Sequence, residues 1–396
     1  MAFLKYVPPM GIYETLYAFL AAYGTPMGDP GTHPWSQGFP RTDQLPGGPA
    51  MPTNVAIEPS DLKYPKAWGL PALREAIAAY YRTNYGAKIT ADNVMVFAGG
   101  RPALVAILYF LDKDITVRIA ETEYTPYWDM LERLGRKYKI VPSHFANRFT
   151  PATADYVGYT GSRTVALFSN PCNPTGVTRR GADLRALVRA TTESHTGLLV
   201  DEAYEFFQQP PDSALAYIDD IDDSNLFVVG AATKGLQAPG IRIGWAVASK
   251  ANIEILGNFS SFGMGGVSHL SQRYALALLD PERVAQARTA VPAFYRAQRD
   301  RYAEAFMRFG LELHTGDGGF YHWCRLPGDL TADEFNQRLF KDGAAILKGT
   351  DCDMYRRGAE SPLRQFFRFS FGPLSPESFR HDLAIIERAL GDAAHT

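Results

Sequence analysis

The chain has 396 residues, 46% hydrophobic and 21% charged, the balance of a folded globular protein with room for two domains. A formal net charge of −2 without any Lys/Arg block argues against nucleic acid or another polyanion as partner. Cys172, Cys324 and Cys352 are scattered without metal or disulfide spacing, and no apolar run has the length that spans a bilayer, so no membrane partner is expected. Residues 1–11 carry one lysine and two consecutive prolines where a leader would need a long apolar core, and the expected location is the cytoplasm.

In chain order, residues 1–50 are rich in glycine and proline around one helix at 12–23. Residues 24–52 read as turn and extended chain bearing Trp35, Phe39 and Gly47-Gly48-Pro49, either a linker or a loop draped over a site. A helix is predicted at 70–85, opened by Pro71, with Leu73, Ile77 and Tyr80 or Tyr81 at helical spacing. Strands and helices then alternate: strands at 93–98, 115–120, 164–169, 197–200 and 225–230, helices at 102–111, 127–138 and 181–192. Near-continuous apolar strands between helices predict an α/β fold, a doubly wound, mostly parallel sheet whose ligand lies beyond the strands' carboxyl ends.

After Lys250 helical patterns run to about Gly310, including a charged stretch at 292–309. Strands at 311–314, 319–325, 344–348 and 366–371 follow, with helices at 331–341 and 376–390. This is a smaller α+β unit. The expected division is an N-terminal segment 1–45 that joins the small domain and covers the site, a large domain 46–290 and a small domain 291–396.

Four strand ends carry polar residues. Phe97-Ala98-Gly99-Gly100-Arg101-Pro102 leads from a strand into a helix, where glycines let the backbone approach an anion and the helix N-terminus offers unpaired N–H groups. Ser169-Asn170-Pro171-Cys172-Asn173-Pro174-Thr175-Gly176 fixes a turn with outward amides. Asp201 ends an apolar run, a costly position for a carboxylate unless it meets a cation or a strong donor. Lys234 follows the run 225–230 in a small-residue loop, and Arg242 lies in a second β-like run. Singly, each is an ordinary turn, cap or surface charge; together and in order they demand a common explanation.

That ordered set resembles the fold type I pyridoxal-phosphate enzymes, specifically the aspartate aminotransferase (class I/II) family, over nearly the whole chain. Asn173-Pro174-Thr175-Gly176, Asp201-Glu202-Ala203-Tyr204, Thr233-Lys234 through Gly240-Ile241-Arg242-Ile243-Gly244, and Phe367-Arg368-Phe369-Ser370 carry the resemblance. It implies pyridoxal 5'-phosphate as cofactor, held by Lys234 as a Schiff base, with Lys234 also moving the substrate's α-proton. Asp201 would pair with the protonated ring nitrogen, and Asn173 and Tyr204 would bond the ring's 3′-oxygen. Tyr124 matches the aromatic residue that stacks on the ring. Gly100, Arg101 and Arg242 would hold the phosphate with Tyr64 of a neighbouring subunit, in a homodimer with sites at the interface, and Gly99 and Thr233 would also bind the cofactor. Arg368 would fork the substrate α-carboxylate, with Asn173 and Gly47, which resembles the family glycine whose backbone lines the substrate site, beside it. Outside the resemblance, Tyr64 and Tyr124 read equally as core aromatics.

The chain departs from the family where many relatives place a serine three residues before the lysine: here stands Ala231. One hydroxyl donor to the phosphate is thereby lost, worth roughly 0.5–1.5 kcal/mol, and Arg101 is expected to restore it. The implied reaction is amino-group transfer from an amino acid to a keto acid. Elimination, replacement, decarboxylation, racemisation or oxidation share its first steps, and a non-catalytic pyridoxal-phosphate-binding regulator is the reading from another class. The aromatic N-terminal segment (Tyr13, Tyr17, Trp35, Phe39) suits a bulky amino acid better than a small acidic one.

Overall fold

The computed structural model describes residues 3–158 and 163–391. Its larger sheet comprises β1 (Val94–Phe97), β2 (Thr116–Ala120), β3 (Lys137–Val141), β4 (Thr164–Ser169), β5 (Gly197–Asp201), β6 (Leu226–Ala231) and β7 (Gly244–Val247), in the order β1-β7-β6-β5-β4-β2-β3. Neighbours from β6 through β3 pair parallel, whereas β7 pairs antiparallel with both β6 and β1. The reversal has a consequence for the site. The carboxyl ends of β1, β2, β4, β5 and β6 and the start of β7 share one edge, so chemistry from six strands converges there.

Strand side chains alternate between two cores, as a sheet covered on both faces requires. Leu167, Leu199 and Val229 pack with Leu104 and Ile107 of the helix Gly100–Phe110 on one face. Phe168, Val200 and Val228 pack on the other with Ile77 of Pro71–Tyr85 and Leu184 and Leu187 of Ala182–Glu193. Truncating one of these side chains to alanine costs about 2–5 kcal/mol.

The helix expected at 127–138 is shorter, Pro126–Arg133. Gly135 adopts φ 60, which stops the helix, and Lys-Tyr-Lys-Ile-Val then forms the edge strand β3 with Lys137 and Lys139 in solvent. Arg242 also differs from expectation: it sits at φ 54, just ahead of β7 rather than inside a strand.

The second sheet is antiparallel, with β8 (Glu312–Leu313), β9 (Tyr321–Arg325), β10 (Leu347–Lys348) and β11 (Phe366–Ser370) in the order β10-β11-β9-β8. The N-terminal helix Ile12–Tyr23 leans on this side, with Phe19 edge-on to Phe340 at 5.6 Å. His33 bridges Ala344, and Ser370 N–H donates to Trp35 O at 2.8 Å. The 28-residue helix Pro281–Arg308 packs against β8 and β9, passes through residues 290 and 291 unbroken and accommodates Pro292. Among the described residues no helix is long and apolar enough to cross a membrane.

Candidate active site

At the shared strand edge a cavity of about 360 Å³ lies between the two sheets, reaching from Gly100 and Asp201 on one side to Tyr321, Leu347 and Arg368 on the other. Its charged lining is unbalanced: Arg101, Lys234, Arg242 and Arg368 face a single carboxylate, Asp201.

Lys234 enters three residues after β6 ends, and its Nζ donates to Gly38 O while lying 5.3 Å from the Tyr204 ring centre. Burial above all, then the Arg368 and Arg101 guanidiniums, bring its pKa down to about 7 against the pull of Asp201. A large share of the amine is therefore neutral near pH 7, the form that attacks a carbonyl.

Asp201 ends β5 and is 8% exposed. Tyr127 Oη donates to its Oδ2 at 3.0 Å and Ala203 N–H to its Oδ1 at 3.1 Å. Desolvation still holds its carboxyl above the ordinary range. A cation brought against it would be well received.

The anion cradle forms where β1 meets the helix Gly100–Phe110. No side chain caps this N-terminus, so its N–H groups remain open to an anion. Gly99 has φ 103, and a Cβ there would stand 2.5 Å from Arg242 Nη2, so only glycine leaves that room. Arg242 Nη1 donates to Pro239 O at 2.8 Å. The Ala231 methyl is 3.7 Å from where a Gly100 Cβ would lie, placing the missing hydroxyl's position at the cradle itself. Arg101 Nε donates to Tyr124 Oη at 2.7 Å.

Arg368, 4% exposed on β11, points into the cavity from the second sheet. Its Nη1 donates to Asn173 Oδ1 and its Nη2 to Ser36 O, both at 2.7 Å, and its carbon lies 4.2 Å from the Tyr321 ring centre. Its Nε is buried without a partner. Tyr321 and Tyr204 share a hydrogen bond through their hydroxyls, and burial drives the Tyr204 hydroxyl well above the phenol range.

Ten of the residues expected from sequence thus meet in one cavity: Gly100, Arg101, Tyr124, Asn173, Asp201, Tyr204, Thr233, Lys234, Arg242 and Arg368. Gly99 adjoins through Arg242. Gly47 is a correction: it lies outside the lining, with its carbonyl accepting from Gln286, and the glycine beside the lysine is Gly38. A Cβ on Gly38 would collide with Tyr321 Oη. In the stretch 24–52 nothing ranks one glycine above another, because the contact that selects Gly38 comes from β9. Tyr64 is 95% exposed and does not line its own chain's cavity. Ser36, Tyr127 and Tyr321 were not singled out from sequence. Only Tyr127 carried a signal, three residues after Tyr124 across Thr-Pro.

These residues fit a phosphorylated carbonyl cofactor joined by a carboxylate substrate. Glycine N–H groups and two arginines would suit one anion, and a third arginine with an unpartnered Nε would suit another. Residues 34–384 match the pattern of the family aminotransferase class I and II, and the chain belongs to that family, whose members use pyridoxal phosphate to transfer amino groups between amino acids and keto acids. The valine–pyruvate aminotransferase of Mycobacterium tuberculosis is 30% identical over 331 residues, 81% of either chain. A probable aspartate/prephenate aminotransferase of Thermus aquaticus is 29% identical over 303 residues, 75% of this chain and 78% of its own. Among solved structures, the aspartate aminotransferase of Thermus thermophilus with maleate aligns at TM-score 0.74 and 25% identity over 84% of this chain and 85% of its own. A double mutant of the Thermus thermophilus enzyme aligns over 98% of both chains at TM-score 0.81 and 23% identity, a likeness of fold.

Proposed function

We propose that Lys234 is the covalent anchor of pyridoxal phosphate and the base that carries the proton from the substrate's α-carbon. The single observation behind this is a lysine whose pKa is lowered to about 7, set at a strand end beside Asp201, an anion cradle and a buried arginine. When bound, the cofactor supplies a carbonyl that condenses with amines and a ring that accepts electrons from the α-carbon.

The protein's own residues do the rest. Asp201 holds positive charge at the ring nitrogen, and Asn173 and Tyr204 offer hydrogen bonds at the 3′-oxygen. Gly99, Gly100, Arg101, Thr233 and Arg242 hold the phosphate, and Tyr124 supports the ring face. Arg368 orients the substrate by its α-carboxylate, so that the α-hydrogen presents to Lys234. Tyr321 keeps Tyr204 in place through the shared hydroxyl bond. We further infer a homodimer to which Tyr64 contributes from the neighbouring subunit, a reading supported by the exposure of Ile57, Leu62, Tyr64 and Phe262. The three-part division at residues 45 and 290 and a cytoplasmic location complete the proposal; three free cysteines favour reducing surroundings.

For the amino donor we propose an apolar or aromatic side chain, because Ile12, Leu347, Tyr321 and Pro126 line the same cavity as Arg368. Single-turnover reaction of the cofactor-loaded enzyme with a panel of amino acids tests it. Keto acid should appear stoichiometrically with enzyme before any acceptor is added, and loss of the bound cofactor's lysine-dependent absorbance in Lys234→Ala should abolish it. Ammonia release instead would move the reaction to elimination, and a preference for aspartate over aromatic and long-chain donors would overturn the donor class.

A further inference from the structure

Glu123 is 1% exposed, follows β2, and lies just outside the cavity lining. Its carboxyl reaches from the end of β2 to the end of the neighbouring β4. Oε1 accepts from Tyr124 N–H at 2.9 Å and from the Ser169 hydroxyl, and Oε2 accepts from Ser169 N–H at 3.2 Å. Ser169 Oγ in turn accepts from Asn173 N–H at 3.0 Å, and Asn173 Oδ1 accepts from Arg368 at 2.7 Å. One chain of bonds therefore runs Glu123–Ser169–Asn173–Arg368, and a single bond reaches Tyr124. The backbone of the same segment is clamped by the C-terminal part: Glu123 N–H donates to Cys352 O at 3.2 Å, and Met354 N–H to Glu121 O at 2.9 Å.

A buried carboxyl is an expensive way to fill this space. Desolvation pushes Glu123 up to about 8 even with three hydrogen bonds pulling it down. Those three donors belong to Tyr124 and Ser169, which line the cavity, and the Cys172 thiol adds a weaker contact to Oε1 at 3.8 Å. An apolar side chain would pack as well yet leave the Ser169 N–H and hydroxyl without an acceptor, free to rotate away from Asn173.

We propose that Glu123 is a positioning residue of the amino-transfer reaction, fixing the Tyr124 ring and the Asn173–Arg368 pair at once through its two oxygens. It rests on the reading above that Tyr124 and Asn173 contact the cofactor. Neither Glu123 nor Ser169 touches the reacting atoms in this role; they hold the residues that do.

The test compares Glu123→Ala and Glu123→Gln as cofactor-loaded enzymes, reading kcat, KM for the amino donor and the visible circular dichroism of the bound cofactor. Glutamine keeps an oxygen for the Tyr124, Ser169 hydroxyl and Cys172 contacts made by Oε1 and loses only the one from Ser169 N–H. Glu123→Ala should lower kcat by about tenfold or more, raise KM several-fold and change the dichroism, and Glu123→Gln should recover most of each loss. An alanine variant with native kcat, KM and dichroism and only a lower melting temperature would overturn the inference, as would a glutamine variant no better than alanine. Should Glu123→Ala not fold, Ser169→Ala cuts the relay while sparing the bond to Tyr124: KM should rise several-fold, and an unchanged KM overturns the relay. Lys234→Ala is run alongside. If it keeps the lysine-dependent absorbance, the site assignment itself fails; if it loses it while Glu123→Ala is silent, only this inference fails.

Discussion

Glu205 follows Tyr204 directly but belongs to a different cluster, outside the cavity. There it accepts hydrogen bonds from the Tyr80 and Tyr85 hydroxyls, and Arg288 donates to both tyrosines at 2.8 Å while lying 3.4 Å from the carboxylate. One cation, one anion and two hydroxyls satisfy one another, with Arg288 also over the Tyr85 and Phe206 rings at 4.9 and 5.3 Å. In the cavity four cations face Asp201 alone, and Arg368 Nε is buried with nothing to bond. Both clusters bury charge, at a cost of several kcal/mol per ion unless partners compensate. The closed one compensates within the chain and serves stability. On the function proposed above, the open one is completed by what binds, and its imbalance matches a cofactor and substrate that both carry negative charge.

Removing Lys234 from the open cluster separates the two most clearly. Lys234→Ala should reduce amino transfer by at least about 10³-fold, measured in single turnover, while leaving the folded protein intact. In the closed cluster the effect should fall on stability instead. Arg288→Met leaves the Glu205 carboxylate buried and uncompensated and should cost about 3–5 kcal/mol in denaturant unfolding, with kcat per folded molecule little changed. An equal loss of kcat would show that the two clusters are not separable.

Arg368→Lys probes the open cluster more gently. The charge survives but the fork does not, and kcat/KM should fall by about 10²-fold, equivalent to 2–3 kcal/mol of charge-assisted bonding. The same cluster should also destabilise the protein when no cofactor is bound. Because Lys234 has a folded-state pKa near 7 against an ordinary value of 10.5, the unfolded chain binds more protons between those pH values. Stability of the cofactor-free protein should therefore rise with pH from about 7 to 10.5, and the full penalty applies below 7. Lys234→Met should flatten that rise and stabilise the cofactor-free protein at pH 7 by on the order of 1–3 kcal/mol, read from melting curves at several pH values.

How much of this was legible in the sequence depended on where the determining contact lay. Lys234, Asp201 and Asn173 sit at ends of apolar strands whose burial and alternation are written locally, so both the α/β sheet and these positions could be read from the chain. Tyr321, Gly38 and Ser36 act through contacts with residues far along the chain: the Tyr204 hydroxyl, Lys234 Nζ and Arg368 Nη2. Such pairings have no local spacing. The short strand β3 was hidden for another reason, since Tyr127 to Tyr138 satisfies helical periodicity until Gly135 breaks it. Glu123 has the local pattern of a solvated charge beside a turn, whereas the Ser169 donors that hold it come from β4.

The smallest expected effect concerns the cradle, where Ala231 withholds a hydroxyl. Arg101 is tied through Nε to Tyr124 Oη at 2.7 Å, and that bond leaves its terminal amino groups available to a phosphate. Arg101→Ala should weaken cofactor binding by roughly 1–2 kcal/mol, the loss of one charge-assisted contact in partial solvent. Ala231→Ser should tighten it by about 0.5–1.5 kcal/mol, because the added hydroxyl would lie at the Gly100 end of the cradle. If Arg101 substitutes for the missing serine, the two changes overlap: the serine should gain more in the Arg101→Ala background than in the wild type, with a coupling above about 0.5 kcal/mol. Equilibrium titration of the cofactor into the four proteins measures this. Strict additivity, or an unchanged dissociation constant in Arg101→Ala, would assign the arginine to holding the Tyr124 ring and leave Gly99, Gly100, Thr233 and Arg242 to bind the phosphate without it.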